Sequence, residues 1–296
     1  MIRGVLLPII TPFDDKARLD EEMMRQVVDF HIQAGVQGLF VLGSTGQGPA
    51  MTIPERKQAA AVALSQARKR VPVVIHVGTA DAWTTTELAE HAAENGAHAV
   101  AIVPPYYYSD HSEFEIVAHY KAVHQAVSLP IYIYENPKYS GISIPPAFAA
   151  RMKEQVPALA GIKVAYGQGA LLEYVRLLPQ VSVFTGNADL FGLVPFGLAG
   201  MINPPTSFVP ELCVDLFTKL ETKEYAAAVE AQKRVDSAAR IVAARLRKYG
   251  RVPLQEVYRM RGLAVKRFPK WETEQMPKEE VSKLERELRE NGILGQ

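Results

Sequence analysis

The sequence predicts an α/β fold, a parallel (β/α)8 TIM barrel with a C-terminal helical appendage. Three observations carry that prediction. Eight short apolar runs alternate with longer amphipathic stretches over roughly the first 210 residues. The runs are continuously apolar rather than alternating, as parallel strands covered on both faces require. The competing layout, a doubly wound open sheet, carries G-x-G-x-x-G between strand and helix; Gly167-Gln168-Gly169 begins that spacing and lacks the third glycine.

The elements follow in order. Gly4 to Ile10 reads as the first strand, and Asp20 to Ala34 has helical period. Gly38–Leu42 is the second strand, followed by a helix from Pro54 to Ala67 with proline near its start. Pro72–Val77 is the third, followed by a helix over Asp81–Asn95 with Asp81 as N-cap. His98–Val103 is the fourth, with a helix from about Ser112 to Ala126. Pro130–Tyr134 is the fifth, with a short helix near Pro146–Lys153, and Leu159–Ala165 is the sixth. Val181–Phe184 and Leu198–Ile202 complete the eight. From residue 222 the pattern is purely helical, over 222–248, 253–266 and 277–291. The expected division is therefore a catalytic barrel over 1–221 and a helical domain over 222–296.

Composition narrows the function classes. Lys plus Arg is 33 against 32 for Asp plus Glu, so charge gives no reason to expect nucleic acid or an acidic membrane as partner. The densest basic stretch, Arg245 to Arg251, ends a helical pattern, where positive charge suits the dipole. The single cysteine, Cys213, excludes an intrachain disulfide and fits a reducing cytoplasm. The N-terminus lacks a signal pattern, no apolar run approaches the ~20 residues of a membrane span, and the seven histidines lack metal-ligand spacing.

Lys163 is the residue most out of place, a lysine inside the apolar sixth strand. A buried ammonium without a partner is costly, so such a lysine tends to lose its proton and become a nucleophile toward carbonyls. The other reading is a strand-end lysine whose head reaches solvent. Barrel active sites lie at the C-terminal ends of the strands, so the residues after each strand are the candidates. After strand two, Gly43-Ser44-Thr45-Gly46-Gln47-Gly48 reads either as an ordinary turn or as a loop whose N–H groups and hydroxyls hold a carboxylate. After strand four come Tyr106, Tyr107 and Tyr108, readable as packing or interface residues. Strand five ends in Tyr134, a wall or a general acid/base. Strand seven is followed by Gly186-Asn187-Ala188-Asp189 and strand eight by Asn203-Pro204-Pro205-Thr206. A lysine, a tyrosine one strand earlier and an anion-binding loop on one face suit a Schiff-base enzyme acting on a 2-oxo acid.

On these residues the chain resembles the dihydrodipicolinate synthase / N-acetylneuraminate lyase family of class I aldolases over essentially its full length. The motifs are Gly38–Gly46, and the pairing of Tyr134 and Pro137 with Gly161-Ile162-Lys163. The resemblance implies that Lys163 forms an imine with pyruvate and that Tyr134 is the acid/base beside it. It implies that Thr45 holds the carboxylate in the loop begun by Gly43, and that Ser44 relays protons. Tyr107 would complete the relay from a neighbouring subunit, and Gly186 and Ile202 would line the pyruvate site. A homotetramer built as a dimer of dimers is implied, with neither metal nor organic cofactor. Dihydrodipicolinate-forming members carry arginine five residues after the tyrosine; here that position is Tyr139, with Lys138 beside it. Sialic acid lyases place polar residues after strands seven and eight; here Ala188 and Pro204 stand there, although Asp189 remains. Val164 follows the lysine, Glu135 replaces a small polar residue, and Gln47 replaces the usual glutamate. The expected activity is a pyruvate or 2-keto-3-deoxy-acid aldolase with an unassigned aldehyde. The alternatives are dihydrodipicolinate synthase itself, an imine-dependent dehydratase, and a non-catalytic barrel that senses a 2-oxo acid.

Overall fold

A computed structural model describes residues 1–165, 168–186, 190–203 and 206–295. Eight parallel strands close into a barrel in chain order: β1 (Gly4–Pro8), β2 (Gly38–Val41), β3 (Val73–His76), β4 (Ala99–Ile102), β5 (Ile131–Glu135), β6 (Leu159–Val164), β7 (Ser182–Thr185) and β8 (Gly200–Met201). Every neighbouring pair is parallel, and β8 closes on β1 through Gly4 and Gly200. The continuously apolar runs have the predicted cause, since all eight strands are covered inside and out.

The outer helices are α1 (Glu21–Gln33), α2 (Ile53–Ala67), α3 (Ala82–Glu94), α4 (Glu113–Ala126), α5 (Pro137–Ser140), α6 (Pro146–Gln155), α7 (Gln168–Leu177) and α8 (Pro210–Glu221). Their starts are written in the sequence. Asp20 and Asp81 accept hydrogen bonds from Met23 N and Thr84 N. Thr52 with Glu55, and Ser112 with Glu115, form reciprocal capping boxes. Three further helices follow: α9 (Tyr225–Tyr249), α10 (Val252–Met260) and α11 (Lys278–Glu290). Among the described residues no helix is long and apolar enough to cross a membrane.

Two expectations change. Helices α5, α7 and α8 lie outside the helices read from the sequence. The helix expected over 253–266 ends at Met260, and Gly262 turns the chain with a φ of +85°. From there it returns along the barrel as a strap, and Phe13 and Arg267 exchange both backbone hydrogen bonds.

Inside the barrel, Leu6, Phe40, Val74, Tyr132, Tyr134 and Phe184 belong to one buried cluster, distinct from the larger core between strands and helices. Gly161 makes room for it, because a Cβ there would stand 2.1 Å from Tyr132 Cε1. Two histidines in the outer layers are buried in neutral form. Burial pushes His31 down to about 4, although the Val27 and Ser207 carbonyls facing its two ring nitrogens pull the other way, and pushes His119 down to about 4 as well. An unfolded imidazole titrates near 6.5, so the unfolded chain binds more protons between pH 6.5 and 4. Stability is then full above pH 6.5 and falls as the pH drops toward 4. Thermal melts across that window should show a falling Tm, with a shallower slope in His119→Gln; a flat Tm would contradict neutral burial.

Candidate active site at the C-terminal rim

Strand register builds the centre. Tyr134 pairs directly with Lys163, and Lys163 with Phe184. Paired residues on parallel neighbours share a face, so the phenol and the amine both enter the barrel mouth. Lys163 is 3% exposed and Tyr134 4%. The Lys163 Nζ lies 4.3 Å from the centroid of the Tyr134 ring and 5.1 Å from that of Phe40, an aromatic seat for a cation. The strand-end reading, with the amine in solvent, is excluded by this burial. The alternation of β5 also settles Glu135, which points away from the mouth and accepts from Ser143 Oγ and Ile144 N at 3.2 Å each.

The loop after β2 brings in the third group. Leu42 and Gln47 adopt left-handed backbone with φ of +63° and +56°, a strained state for residues with side chains. Gly48 closes the turn, since a Cβ there would lie 2.1 Å from Leu42 O. Thr11 Oγ1 donates to Gly46 O at 2.6 Å, fixing the loop to the end of β1. Gly43 is buried against the Phe40 ring. The turn leaves Ser44 Oγ 2.9 Å from Tyr134 OH. Thr45 is buried in the same loop and is not among the residues lining the two cavities described below.

Tyr134 is the electrostatic focus. Burial alone would raise its phenol, but the Lys163 charge and hydrogen bonds from Ser44, Asn136 and Lys163 outweigh it, so the net displacement is downward. Asn136 Nδ2 donates to the phenol oxygen at 3.0 Å. The edge of His76 meets the Tyr134 ring with centroids 5.8 Å apart. Burial, then the Arg56 and Lys163 charges, hold His76 well below the usual imidazole range against the Leu42 carbonyl. Arg56, buried in α2, donates to His76 O at 2.8 Å and Gly78 O at 3.2 Å and so fixes the end of β3.

Two cavities flank the Ser44–Tyr134 pair and share Ser44, Tyr134 and Tyr139 as walls. One, of about 250 Å³, holds Lys163 and is closed by Asn136, Lys138, Ala165 and Gly186. The other, of about 230 Å³, is walled by His76, Val103, Tyr106, Arg251 and Trp271 among others. Tyr139 is 49% exposed at the mouth, with Lys138 Nζ 5.8 Å from the centroid of its ring. Ile202 is fully buried in the inner cluster. Tyr107 lines neither cavity of its own chain; it is 85% exposed with a φ of +85°. Asn187, Ala188, Asp189, Pro204 and Pro205 lie outside the described residues, as does Gly167.

Of the residues expected at the site, Lys163, Tyr134, Ser44, Tyr139 and Gly186 therefore meet at one mouth. Sequence reasoning missed Asn136, His76, Arg251 and Trp271. Asn136 had a signal, because two residues after Tyr134 on an extended chain returns to the same face. Arg251 and Trp271 had none, because they come from the C-terminal segment.

Comparison with known proteins finds related sequences and folds. The model of the dihydrodipicolinate synthetase family matches residues 1–291. A 4-hydroxy-tetrahydrodipicolinate synthase of Agrobacterium fabrum is 32% identical over 240 residues, covering 79% of this chain and 81% of that protein. Among solved structures, YagE of E. coli K12, described as a prophage protein of the dihydrodipicolinic acid synthase family in complex with pyruvate, superposes with a TM-score of 0.87 at 24% identity, over 99% of both chains. CdNal of Clostridium difficile, solved with mannosamine, gives a TM-score of 0.90 at 19% identity, over 98% of this chain and 99% of that one.

Proposed function

The chain belongs to the dihydrodipicolinate synthetase family, and from that premise we propose that it is a carbon–carbon lyase, a class I aldolase in which Lys163 forms a Schiff base with pyruvate or a 2-keto-3-deoxy acid. The observation that carries the reading is the buried Lys163 amine beside a hydrogen-bonded Tyr134–Ser44 pair.

In the proposed sequence, the amine attacks the C2 carbonyl and water leaves, giving an iminium. The iminium draws electrons from C3, the C3 proton passes to the ionised Tyr134 oxygen, and the enamine adds to an aldehyde carbonyl. The new alkoxide takes a proton from the Tyr134–Ser44 pair, and hydrolysis returns the free lysine. Cleavage is the same path reversed. Thr45 and the loop from Gly43 hold the carboxylate, while Gly186 and Ile202 form the floor. Catalysis belongs to residues 1–221 and the helical region 222–296 supports it. The enzyme works without metal or organic cofactor, and its place is the cytoplasm.

Tyr107 acts from a neighbouring protomer in this reading, within a dimer of dimers. Its exposure and strained backbone support that role, and so does the open chamber beside Ser44 into which a partner's ring could reach. A second reading, 4-hydroxy-tetrahydrodipicolinate synthase, is favoured by the name of the Agrobacterium relative. Tyr139 weighs against it, because a tyrosine offers no bidentate cation for the carboxylate of the aldehyde.

The test is incubation with pyruvate and borohydride, followed by mass spectrometry and a panel of aldehydes in the condensation direction. One pyruvate-derived adduct per chain, on Lys163, is expected. No adduct on folded protein would sink the proposal, and turnover with aspartate semialdehyde far above every other aldehyde would select the second reading.

A further inference from the structure

We infer that Arg251 is a positioning residue for the proton relay, the tip of a clamp by which the C-terminal segment holds the Ser44 loop in its working geometry. The inference rests on the aldolase reading above and adds to it a role for residues 250–271.

Two contacts reach the loop and two more brace the residues that make them. Arg251 Nη1 donates to Ser44 O at 2.5 Å. The Arg251 guanidinium carbon stands 5.6 Å from the centroid of the Trp271 ring, a cation–π contact. Lys270 N donates to Gln47 Oε1 at 2.8 Å, and Lys270 Nζ reaches Glu55 Oε2 at 2.5 Å just beyond the loop. The clamp thus grips both ends of the segment that carries Ser44 and Thr45.

The loop has a reason to need holding. Leu42 and Gln47 bracket it in left-handed backbone, a state that persists only where surrounding contacts over-determine it. The Ser44 carbonyl is the group through which Arg251 acts, and the Ser44 hydroxyl is the group 2.9 Å from Tyr134 OH. A shift of the carbonyl moves the hydroxyl with it.

The chain also spends structure on placing Arg251. Gly250 ends α9 with φ +57° and ψ −128°, a conformation open mainly to glycine. This lets α10 start at a new angle with Arg251 as its N-cap residue. Helix α10 is then anchored below, where Tyr258 Oη donates to Ser207 Oγ at 3.2 Å. The strap after α10 is tied by Phe268 N to Gln255 Oε1 at 2.7 Å and by Arg267 to Phe13. The two arms, Arg251 and Lys270–Trp271, arrive from opposite ends of one braced hairpin of chain.

The test reads solvent deuterium entering the methyl group of pyruvate by NMR, which needs no aldehyde. It is run beside borohydride trapping of the imine, in wild type, Arg251→Met, Arg251→Lys, Ser44→Ala and the double variant Ser44→Ala/Arg251→Met. Arg251→Met should keep the trapped adduct and the pyruvate KM within about threefold, and lose exchange roughly tenfold or more, since an ångström of misplacement can cost a hundredfold. Arg251→Lys, which still offers a donor to the carbonyl, should recover part of the rate. In the Ser44→Ala background the Arg251 substitution should have no further effect, the non-additivity expected of groups acting through one another. Wild-type exchange in Arg251→Met, equal losses in the Lys and Met variants, or additive losses with Ser44→Ala would each overturn the clamp. If Arg251→Met does not fold, Trp271→Leu replaces it, with a severalfold loss of exchange expected and an unchanged rate overturning. Absence of both adduct and exchange in wild type would overturn the aldolase reading and the clamp with it, whereas an adduct in every variant with unchanged exchange overturns the clamp alone.

Discussion

Lys163→Met should abolish the pyruvate adduct, lower turnover by roughly a thousandfold or more, and leave a protein at least as stable as the parent. The two halves of this expectation have one cause. The amine sits almost wholly out of water, over the Tyr134 and Phe40 rings and hydrogen-bonded to Tyr134. Ring contacts and one hydrogen bond of this kind return about 1–3 kcal/mol, while taking a lysine head group out of water in its charged form costs several. Methionine has nearly the same length, carries no charge, and packs well against aromatic edges. A gain on the order of 1–2 kcal/mol, or a rise of about 2–4 °C in Tm, is expected. Activity and stability should therefore move in opposite directions, the mark of a residue kept for chemistry. The check is a melt of each protein beside the trapping assay. A variant that melts well below the parent would show that Lys163 serves packing, and an adduct that persists on another lysine would remove it from the mechanism.

The barrel was legible because its strands leave a simple trace. Runs such as Val73–His76 and Ala99–Ile102 are buried on both faces, so nothing polar interrupts them. The central pair was legible for a related reason. Tyr134 and Lys163 stand next to last in consecutive strands, and consecutive parallel strands in a barrel are neighbours, so a shared register follows from chain order. Tyr139 was harder to read, since position relative to Tyr134 gives its place at the mouth but not its half exposure. The end of α10 was misread because Leu263, Val265 and Phe268 continue an apolar spacing after the helix has stopped at Met260. Those residues are buried by the strap against the barrel, and burial leaves the same spacing as a helix would. Arg251 could not be found at all. In sequence it is one more cation in a basic stretch at a helix end, where the dipole already explains positive charge. Only the turn at Gly250 carries it to the Ser44 carbonyl.

Tyr134→Phe should separate imine formation from proton transfer. The substitution removes one oxygen and leaves the ring that stands over Lys163, so pyruvate should still be trapped on the lysine. Turnover and methyl exchange should fall about 10²- to 10⁴-fold, the range for loss of a positioned acid/base. Stability should fall by about 1–3 kcal/mol, because Asn136 Nδ2 and Ser44 Oγ lose their common partner inside the protein. The pH dependence gives the sharper signature. The neighbouring Lys163 charge and three hydrogen bonds displace the phenol downward despite its burial. The ionised form that accepts the C3 proton is then populated at lower pH than for a free tyrosine. Exchange in the parent should rise with pH along a limb whose midpoint lies below 10, the ordinary value for the side chain, and that limb should vanish in the variant. Ser44→Ala removes one of the stabilising hydrogen bonds, so its limb should move upward toward the ordinary value and not disappear. A Tyr134→Phe protein that exchanges deuterium at the parental rate, or one that retains the same limb, would move the base to another group, and His76 against the ring edge is the first to examine.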